Sequence, residues 1–189
     1  MPDTREEKKA WRRLAADLFA LVPPDGRREL DAVLRERVRE YVFDSGAAVL
    51  LAYAPMADEP DLSAFLRQWV REGGRLFLPV WLGGGEMLLK AVTDPTTQLR
   101  PGRGGILEPV DECRGADADE VELCITPGRF FSEARERLGR GAGCYDRLLS
   151  RPGMKTVGVA YDFQVVPRLP VDVFDRPVDV VLTPTRLLG

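Results

Sequence analysis

The sequence contains no histidine among its 189 residues. Without imidazole, the chain cannot build a Ser-His-Asp or Cys-His nucleophile, and it cannot hold a metal through histidine ligands. The groups that remain for chemistry are carboxylates, lysine, arginine, tyrosine and the backbone. Because these groups suit the positioning of phosphates together with a hard metal ion, the absence of histidine directs attention to phosphate chemistry.

Cysteine is also scarce, with three residues at Cys113, Cys124 and Cys144. Their spacing does not match a metal site, and their odd number argues against a disulfide framework. We therefore expect three reduced thiols. Cys124 lies in an apolar segment and is expected in the core, whereas Cys144 lies in a glycine-rich loop that merely tolerates it.

The chain lacks an apolar run of the length that spans a bilayer, and its first residues lack the apolar region of a signal peptide. Its formal net charge of −3 gives no general attraction to nucleic acid. A chain of this length suits one well-buried domain. We therefore expect a cytoplasmic monomer with a single domain over residues 1–189 that acts on a small molecule, without a membrane or nucleic-acid partner.

The most distinctive segment is Arg137-Leu-Gly-Arg-Gly-Ala-Gly-Cys-Tyr-Asp146, called the glycine loop below. Three glycines free of a Cβ allow successive backbone N–H groups to turn toward one anion, and two arginines add positive charge. Asp146 offers a hard oxygen ligand for Mg²⁺. The segment fits neither the P-loop pattern nor a dinucleotide fingerprint. By itself it is equally compatible with a solvated turn.

Hydrophobic periodicity predicts alternating helices and strands. Amphipathic patterns indicate helices over the first twenty-odd residues, over 27–43 and over 62–71, and a short helix is expected near 146–150. Apolar runs indicate strands at 47–53, 76–81, 86–92, 121–126, 156–161 and 178–183, the second and third forming a hairpin. Residues 93–119 are expected to form a long loop, and residues 127–136 an irregular segment.

This alternation predicts an α/β fold, a three-layer α/β/α sandwich with a mostly parallel, mixed central sheet of Rossmann-like type. In such sheets, ligands bind where loops follow the carboxyl ends of the strands. The loops at 53–61, 81–85, 127–146 and 162–175 are therefore candidates. Taken singly, each carboxylate in them, including Glu59, Asp61, Asp162 and Asp175, is more readily explained by solvation or helix capping than by a ligand.

Taken together, these segments resemble the 5-formyltetrahydrofolate cyclo-ligase family, whose members are also called 5,10-methenyltetrahydrofolate synthetases. The resemblance spans nearly the whole chain. The glycine loop is close to the family's Arg-Leu-Gly-x-Gly-x-Gly-Tyr-Tyr-Asp, Lys8-Lys-Ala-Trp-Arg12 resembles its Lys-x-x-x-Arg helix, and Pro55-Met-Ala-Asp-Glu-Pro-Asp61 resembles its acidic folate loop.

The resemblance implies conversion of 5-formyltetrahydrofolate to 5,10-methenyltetrahydrofolate with ATP and Mg²⁺, through a phosphorylated formyl group. It implies a metal site at Asp146 and Asp175, and catalytic roles for Arg140 and Tyr145. The residues expected to contact folate are Met56, Glu59 and Asp61. Those expected to bind the nucleotide are Lys8, Arg12, Arg137, Leu138, Gly139, Arg140, Gly141, Ala142, Gly143, Cys144 and Tyr145. For Lys8 and Arg12 the alternative is a solvated helix face.

The chain departs from the family pattern at several positions. Cys144 stands in place of an aromatic residue, and Phe174 in place of a polar one. Arg129-Phe-Phe-Ser-Glu-Ala-Arg135 replaces Leu-x-Phe-Asp-x-x-Gly, so that an acid is lost at Ser132 and a glycine at Arg135. These departures are compatible with neutral loop drift and with a paralogue of altered substrate or diminished activity. Two alternatives therefore stay open. The first is a folate or nucleotide binder without turnover or with an altered substrate, and the second, which rests on fold analogy alone, is another enzyme on a similar scaffold, such as a sugar-phosphate isomerase or an acyl-CoA transferase.

Overall fold

The computed structural model describes residues 4–151 and 153–189. Within this part of the chain, the helices are α1 (Thr4–Leu21), α2 (Pro24–Ser45), α3 (Ser63–Arg71) and α4 (Cys144–Leu149). The strands are β1 (Val49–Leu51), β2 (Arg75–Gly83), β3 (Glu86–Val92), β4 (Leu99–Pro101), β5 (Leu107–Pro109), β6 (Gly115–Ala116), β7 (Leu123–Pro127), β8 (Phe130–Ser132), β9 (Arg137–Leu138), β10 (Lys155–Val159), β11 (Val165–Val166), β12 (Val180–Leu182) and β13 (Leu187–Leu188). Short 3₁₀ turns cover Arg103–Gly105, Ala118–Glu120 and Asp162–Gln164.

The central sheet has the strand order β13-β12-β10-β7-β1-β2-β3-β6 among the described residues. The five strands from β12 to β2 run parallel to one another, and antiparallel strands flank them at both edges. In the middle of the sheet, Leu50 is paired with Leu76 on one side and with Leu123 on the other. The predicted mostly parallel, mixed sheet is confirmed.

Helices cover both faces of this sheet unequally. The larger core packs α2 and α3 against one face through Leu34, Val38, Phe65 and Leu66. The opposite face is covered more thinly, by Leu148 of α4 and by Ala118 and Val121. Because the central strands are buried on both faces, they are continuous apolar runs in the sequence. The predicted three layers are present.

Two segments predicted to lack regular structure contain short strands instead. Within residues 93–119, β4 pairs with β5 and β6 adds to the edge of the central sheet. Within residues 127–136, β8 pairs with β9 and β11 in a separate three-stranded sheet. Strands of two or three residues are too short to show an alternating pattern, so the prediction of loops there was wrong. The helix expected near 146–150 begins at Cys144, which places Asp146 in its first turn.

Helix α2 shows how local sequence sets the element boundaries. Pro24 lies at its first position, where the missing N–H costs nothing, and Gly46 ends it in the left-handed conformation with φ 69°. The N–H of Gly46 donates to the Phe43 carbonyl. Among the described helices, none combines the length and apolar character needed to cross a membrane.

Candidate active site

A cavity of about 320 Å³ lies where the loops after several strands meet. Tyr53 and Ala54 follow β1, Gly128 and Arg129 follow β7, and Trp81 lies toward the end of β2, all of them at its wall. Because β1, β2 and β7 are adjacent and parallel, their carboxyl ends bring these loops together. The loops at 53–61, 81–85 and 127–146 therefore contribute to one site, as predicted, and the fourth candidate loop, 162–175, contributes Asp175.

The cavity brings together most of the residues selected from the sequence. Its wall includes Arg12, Met56, Glu59, Arg137, Leu138, Gly139, Arg140, Gly141, Ala142, Gly143, Cys144, Tyr145, Asp146 and Asp175. Lys8 and Asp61 are not part of this wall. Asp61 borders a neighbouring groove, where its carboxylate accepts a hydrogen bond from the Ser63 N–H at 2.9 Å at the start of α3. The Asp61 carboxylate is thus bound to a nearby backbone N–H and does not line the cavity.

The glycine loop wraps around the side chain of Arg12. The Arg12 Nε donates to the Gly139 carbonyl at 2.9 Å. Gly141 has φ 101°, and a Cβ there would lie 3.2 Å from the Arg12 Cζ. Its backbone conformation therefore requires glycine, and an added Cβ would also press on the Arg12 guanidinium. Gly143, with φ 71°, then turns the chain into α4.

Arg12 has no carboxylate within salt-bridge distance among the described residues. Burial lowers its pKa below the usual value, although the negative charges of Asp175 and Asp146 act in the opposite direction. A guanidinium carries five N–H donors, and only the Nε is used. Arg12 is therefore a cavity-wall cation with donors to offer an anion.

Arg137 is buried, and it organises the glycine-loop side of the cavity. Its Nη2 donates to Asp146 Oδ1 at 2.9 Å, and its Nη1 donates to the Pro127 carbonyl at 3.4 Å. Its guanidinium also lies 5.4 Å from the centre of the Tyr145 ring, within the range of a cation–π contact. These contacts lock the side chain between β7 and α4.

Lys8, Asp172 and Asp175 form a group that we call the lysine cluster. The buried Lys8 ammonium donates to Asp172 Oδ2 at 2.6 Å and to Asp175 Oδ2 at 2.5 Å. Burial lowers the pKa of Lys8, but the two carboxylates outweigh it and the net pKa is raised. The hydrogen bond from Lys8 lowers the pKa of Asp172, helped by the Phe174 backbone N–H. Lys8 itself does not line the cavity, but it binds Asp175, which does.

Arg129, Arg140, Asp58 and Glu59 form a second group, the arginine cluster. Asp58 accepts hydrogen bonds from both arginines, through one carboxylate oxygen each. Arg140 also donates from Nε to Glu59 Oε1 at 3.0 Å, and the Met56 N–H donates to Glu59 Oε2 at 3.0 Å. The arginine cluster therefore joins the acidic loop, residues 55–61, to the glycine loop.

The carboxylates of Asp146 and Asp175 both reach the cavity wall and both already have cationic neighbours. No group of three or more carboxylate, cysteine or histidine side chains in the described residues is arranged to hold a metal ion. Mg²⁺ needs no such cage, because it is commonly held by one or two carboxylates together with phosphate oxygens and water. The two aspartates therefore fit Mg²⁺ bound together with a phosphorylated ligand.

Three buried side-chain polar atoms in the described residues have no hydrogen-bond partner: Trp81 Nε1, Arg137 Nε and the Tyr145 hydroxyl. All three belong to residues of this one cavity wall. Burial raises the pKa of Tyr145 well above its usual value, so the hydroxyl stays protonated and is available as a donor. Buried polar groups without partners cost free energy, so their concentration on one wall identifies this cavity as the candidate ligand site.

The departures from the family pattern have distinct structural outcomes. The Ser132 hydroxyl accepts a hydrogen bond from the Glu136 N–H at 3.1 Å, so the position still supplies an acceptor. Arg135 is the non-glycine residue with positive φ, 66°, in the described chain. Cys144 is partly buried on the cavity wall, and burial raises the pKa of its thiol. Phe174 is 77% exposed beside Asp175.

Asp58, Arg129 and Trp81 are parts of the site that sequence reasoning did not select. Asp58 lies between two residues that were selected, and Arg129 and Trp81 lie in loops that were named as candidates. The sequence signal that could have identified them was their position at or just after the carboxyl ends of β1, β2 and β7. Residue type alone could not single them out, because their roles depend on partners distant in the sequence.

Comparison with known proteins gives one consistent result. The model of the 5-formyltetrahydrofolate cyclo-ligase family matches residues 4–184. The 5-formyltetrahydrofolate cyclo-ligase of Escherichia coli K12 is 31% identical over 170 residues, 87% of this chain and 93% of that protein. A probable 5-formyltetrahydrofolate cyclo-ligase of Schizosaccharomyces pombe is 33% identical over 133 residues, 62% of this chain and 65% of that protein.

Solved structures agree with these matches. The NMR structure of Aquifex aeolicus 5,10-methenyltetrahydrofolate synthetase has a TM-score of 0.84 and 33% identity, covering 95% of this chain and 91% of that one. A 5,10-methenyltetrahydrofolate synthetase from Mycoplasma pneumoniae, at 18% identity, has a TM-score of 0.78 and covers 94% and 99% of the two chains. The second likeness shows the shared fold.

Proposed function

The chain belongs to the 5-formyltetrahydrofolate cyclo-ligase family, and we propose that it converts 5-formyltetrahydrofolate to 5,10-methenyltetrahydrofolate with ATP and Mg²⁺, releasing ADP and phosphate. In this reaction the formyl oxygen accepts the γ-phosphoryl group, N10 closes the ring, and phosphate leaves. Such chemistry needs charge neutralisation and alignment more than a strong base. It therefore suits a chain without histidine.

The observation that carries this proposal is the group of unpartnered polar atoms on one cavity wall. Trp81 Nε1, Arg137 Nε and the Tyr145 hydroxyl are buried donors with nothing to donate to within the described chain. The same wall includes apolar side chains such as Met56, Met87 and Ile106. A ligand with flat apolar rings and several acceptors matches this combination, and a folate with a nucleotide has both.

Positive charge on the wall supports the nucleotide half of the proposal. Arg12 and Arg140 both reach the cavity and retain unused N–H donors, which would neutralise phosphate oxygens as charge develops on them. Asp146 and Asp175 would hold Mg²⁺, whose charge adds to this neutralisation when it is bound. The Tyr145 hydroxyl, held protonated by burial, would donate to an oxygen of the reacting group.

The acidic loop supports the folate half. Only 8% of the Glu59 side chain is exposed, and Met56 lies beside it on the same wall. Each Glu59 oxygen already accepts one hydrogen bond, but a carboxylate has about four lone-pair sites, so it could accept N–H groups of a pterin ring as well. Asp61 would support the loop from outside the cavity, through α3.

The direct test mixes the purified protein with ATP, Mg²⁺ and 5-formyltetrahydrofolate and follows the absorbance of the methenyl product. We expect product that depends on both ATP and Mg²⁺. Arg140→Ala and Asp146→Ala should reduce turnover strongly, whereas Arg100→Ala, which removes an exposed arginine paired with Asp111, should not. Calorimetry that showed folate or nucleotide binding without any product would instead favour a binder that has lost turnover.

Tyr145→Phe tests the unpartnered hydroxyl itself. The hydroxyl has no protein partner, so its removal should leave the free energy of unfolding unchanged or raised by up to about 1 kcal/mol. Turnover should fall by about tenfold, since the donor to the reacting group is lost. Unchanged turnover in this variant would remove Tyr145 from the catalytic residues.

A further inference from the structure

Asp58 connects two arginines without reaching the cavity wall itself. One of its oxygens accepts from Arg129 and the other from Arg140, and it is about one-third exposed. Burial raises the pKa of Asp58, but the hydrogen bonds from the two arginines outweigh it and the net pKa lies below the ordinary value. Asp58 is therefore charged at neutral pH and acts on the site through Arg140.

Arg129 gives Asp58 a fixed point on the scaffold. Its side chain is 5% exposed, and its guanidinium lies 5.8 Å from the centre of the Phe19 ring. Its backbone N–H donates to the Leu138 carbonyl at 2.7 Å, and its carbonyl accepts from Gln164 Nε2 at 3.2 Å. A residue held this firmly fixes the carboxylate that it binds.

Arg140 has no comparable support from its own loop. It lies between Gly139 and Gly141, and its guanidinium contacts Asp58 and Glu59 of the acidic loop. Those contacts use Nε and one N–H of Nη2, so three of its five N–H donors stay available. Asp58 therefore orients the guanidinium without consuming the donors that an anion would need.

We propose that Asp58 is a positioning residue, which ties Arg140 to the buried Arg129 and so presents its guanidinium to the reacting phosphate. The inference rests on the proposed function. Preorganised donors stabilise charge that develops during a reaction because no further reorganisation is needed at that moment. The role of Asp58 is thus expected in kcat more than in binding.

The charge balance of the arginine cluster separates a positioning role of Asp58 from a simple effect on the attraction of phosphate. With Asp58 the cluster contains two cations and two carboxylates, and Asp58→Asn leaves one excess positive charge. Electrostatic attraction alone predicts that this variant binds an anionic nucleotide as well as or better than the unaltered protein. A loss of kcat in it therefore cannot come from weaker attraction of phosphate.

The test compares Asp58→Asn, Asp58→Glu and the unaltered protein by kcat, KM for ATP, calorimetric binding of ADP with Mg²⁺, and thermal midpoint. We expect Asp58→Asn to lower kcat by about tenfold or more with KM and the ADP Kd unchanged or lower. Asp58→Glu should recover kcat to within about threefold, because it restores the charge. Asp111→Asn, which alters another aspartate bridging two cations, Arg100 and Lys90, is the matched control and should behave as the unaltered protein.

An unchanged kcat in Asp58→Asn would overturn the proposal, as would a lower kcat accompanied by ADP binding weakened more than threefold. If Asp58→Asn fails to fold because Arg129 is left unpaired, the double variant Asp58→Asn with Arg129→Leu removes that buried charge. The double variant must still show the lower kcat, and full activity in it would overturn the proposal.

Failure of the proposed function has a different signature. In that case the unaltered protein itself yields no methenyl product, and Asp58 is then judged by ADP binding alone. Binding no weaker in Asp58→Asn than in the unaltered protein would support the positioning role. Weaker binding would overturn it, since Asp58 would then support the nucleotide site as a whole.

Discussion

The lysine cluster contains one cation and two carboxylates, whereas the arginine cluster contains two cations and two carboxylates. Both border the same cavity, through Asp175 in the first case and through Arg129, Arg140 and Glu59 in the second. The first therefore has one excess negative charge, which suits attraction of a hard cation. The second is neutral, and can orient an arginine toward a phosphate without adding net charge to the site.

The two clusters also depend on their cations to different degrees. Both carboxylates of the lysine cluster rely on the ammonium of Lys8, whereas Asp58 keeps one arginine if the other is removed. The number of salt bridges therefore says little about the free-energy cost of losing one of them. What matters is whether an uncompensated charge is left in a buried place.

Lys8→Met should have the largest effect. It leaves Asp172 and Asp175 facing each other without their cation, and we expect the free energy of unfolding at pH 7 to fall by about 2–3 kcal/mol. The expected loss is smaller than the roughly 3–5 kcal/mol typical of a fully buried pair because 44% of the Asp172 side chain is exposed. Denaturant unfolding measures it. Lys9→Met is the control, since the Lys9 ammonium is solvated and 3.8 Å from Glu6, and it should be near neutral. Equal stability of the two variants would show that the lysine cluster does not depend on the Lys8 ammonium.

Arg135→Gly should have the next largest effect, with the opposite sign. Arg135 lies in the turn between β8 and β9, and Arg129 of the arginine cluster precedes β8 at the other end of this hairpin. The φ of 66° at Arg135 is strained for any residue with a Cβ. We expect a gain of about 0.5–1 kcal/mol, the relief of strain being partly offset by the greater freedom of glycine in the unfolded chain. Thermal unfolding measures it. Glu133→Gly in the same turn has no such strain to relieve and should be destabilising.

Arg129→Leu should change the free energy of unfolding by less than about 0.5 kcal/mol. Removal of the buried guanidinium also removes the free-energy cost of its desolvation. Leucine can pack beside Phe19 in its place, and Asp58 keeps its hydrogen bond from Arg140. Chemical denaturation beside Lys8→Met gives the direct comparison. A loss as large as that of Lys8→Met would show that the arginine cluster is as fragile as the lysine cluster.

Stability should be constant between about pH 5 and pH 8, which is the smallest effect expected. The pKa values of Asp58 and Asp172 are lowered, so their contribution is present above the unfolded value of about 3.9 and is lost as the pH falls through the folded value. The pKa of Lys8 is raised, so its contribution is present below about 10.4 and is lost as the pH rises through the folded value. There is no histidine to titrate between them. A thermal midpoint that shifted within this window would contradict both assignments.

Much of the fold followed from local sequence. A hydrophobic period of 3.6 residues predicted the long helices, because each buries one stripe of its surface. Continuous apolar runs predicted the central strands, because these are buried on both faces. The exceptions were strands as short as Phe130–Ser132 and Arg137–Leu138, which are held by pairing with distant segments. Their few residues contain no period to detect.

The candidate site divides in the same way. The glycine loop, Arg12, Met56 and Glu59 were selected from the sequence, and the structure gathers them at one cavity. Asp61 was also selected, but its position after β1 could not show that its carboxylate turns toward the start of α3. Asp58 and Arg129 gave no signal of their own, because a charged residue in a loop is ordinarily solvated.

Local sequence was enough to predict the α/β architecture, to exclude histidine chemistry and to single out the glycine loop. The three-dimensional packing sets which charges neutralise each other. Lys8 meets Asp172 across 164 residues, and Asp58 meets Arg129 across 71. The physical reason is that secondary structure follows from nearby residues, whereas the pairing of charges depends on which loops are packed together and how far water is excluded from them.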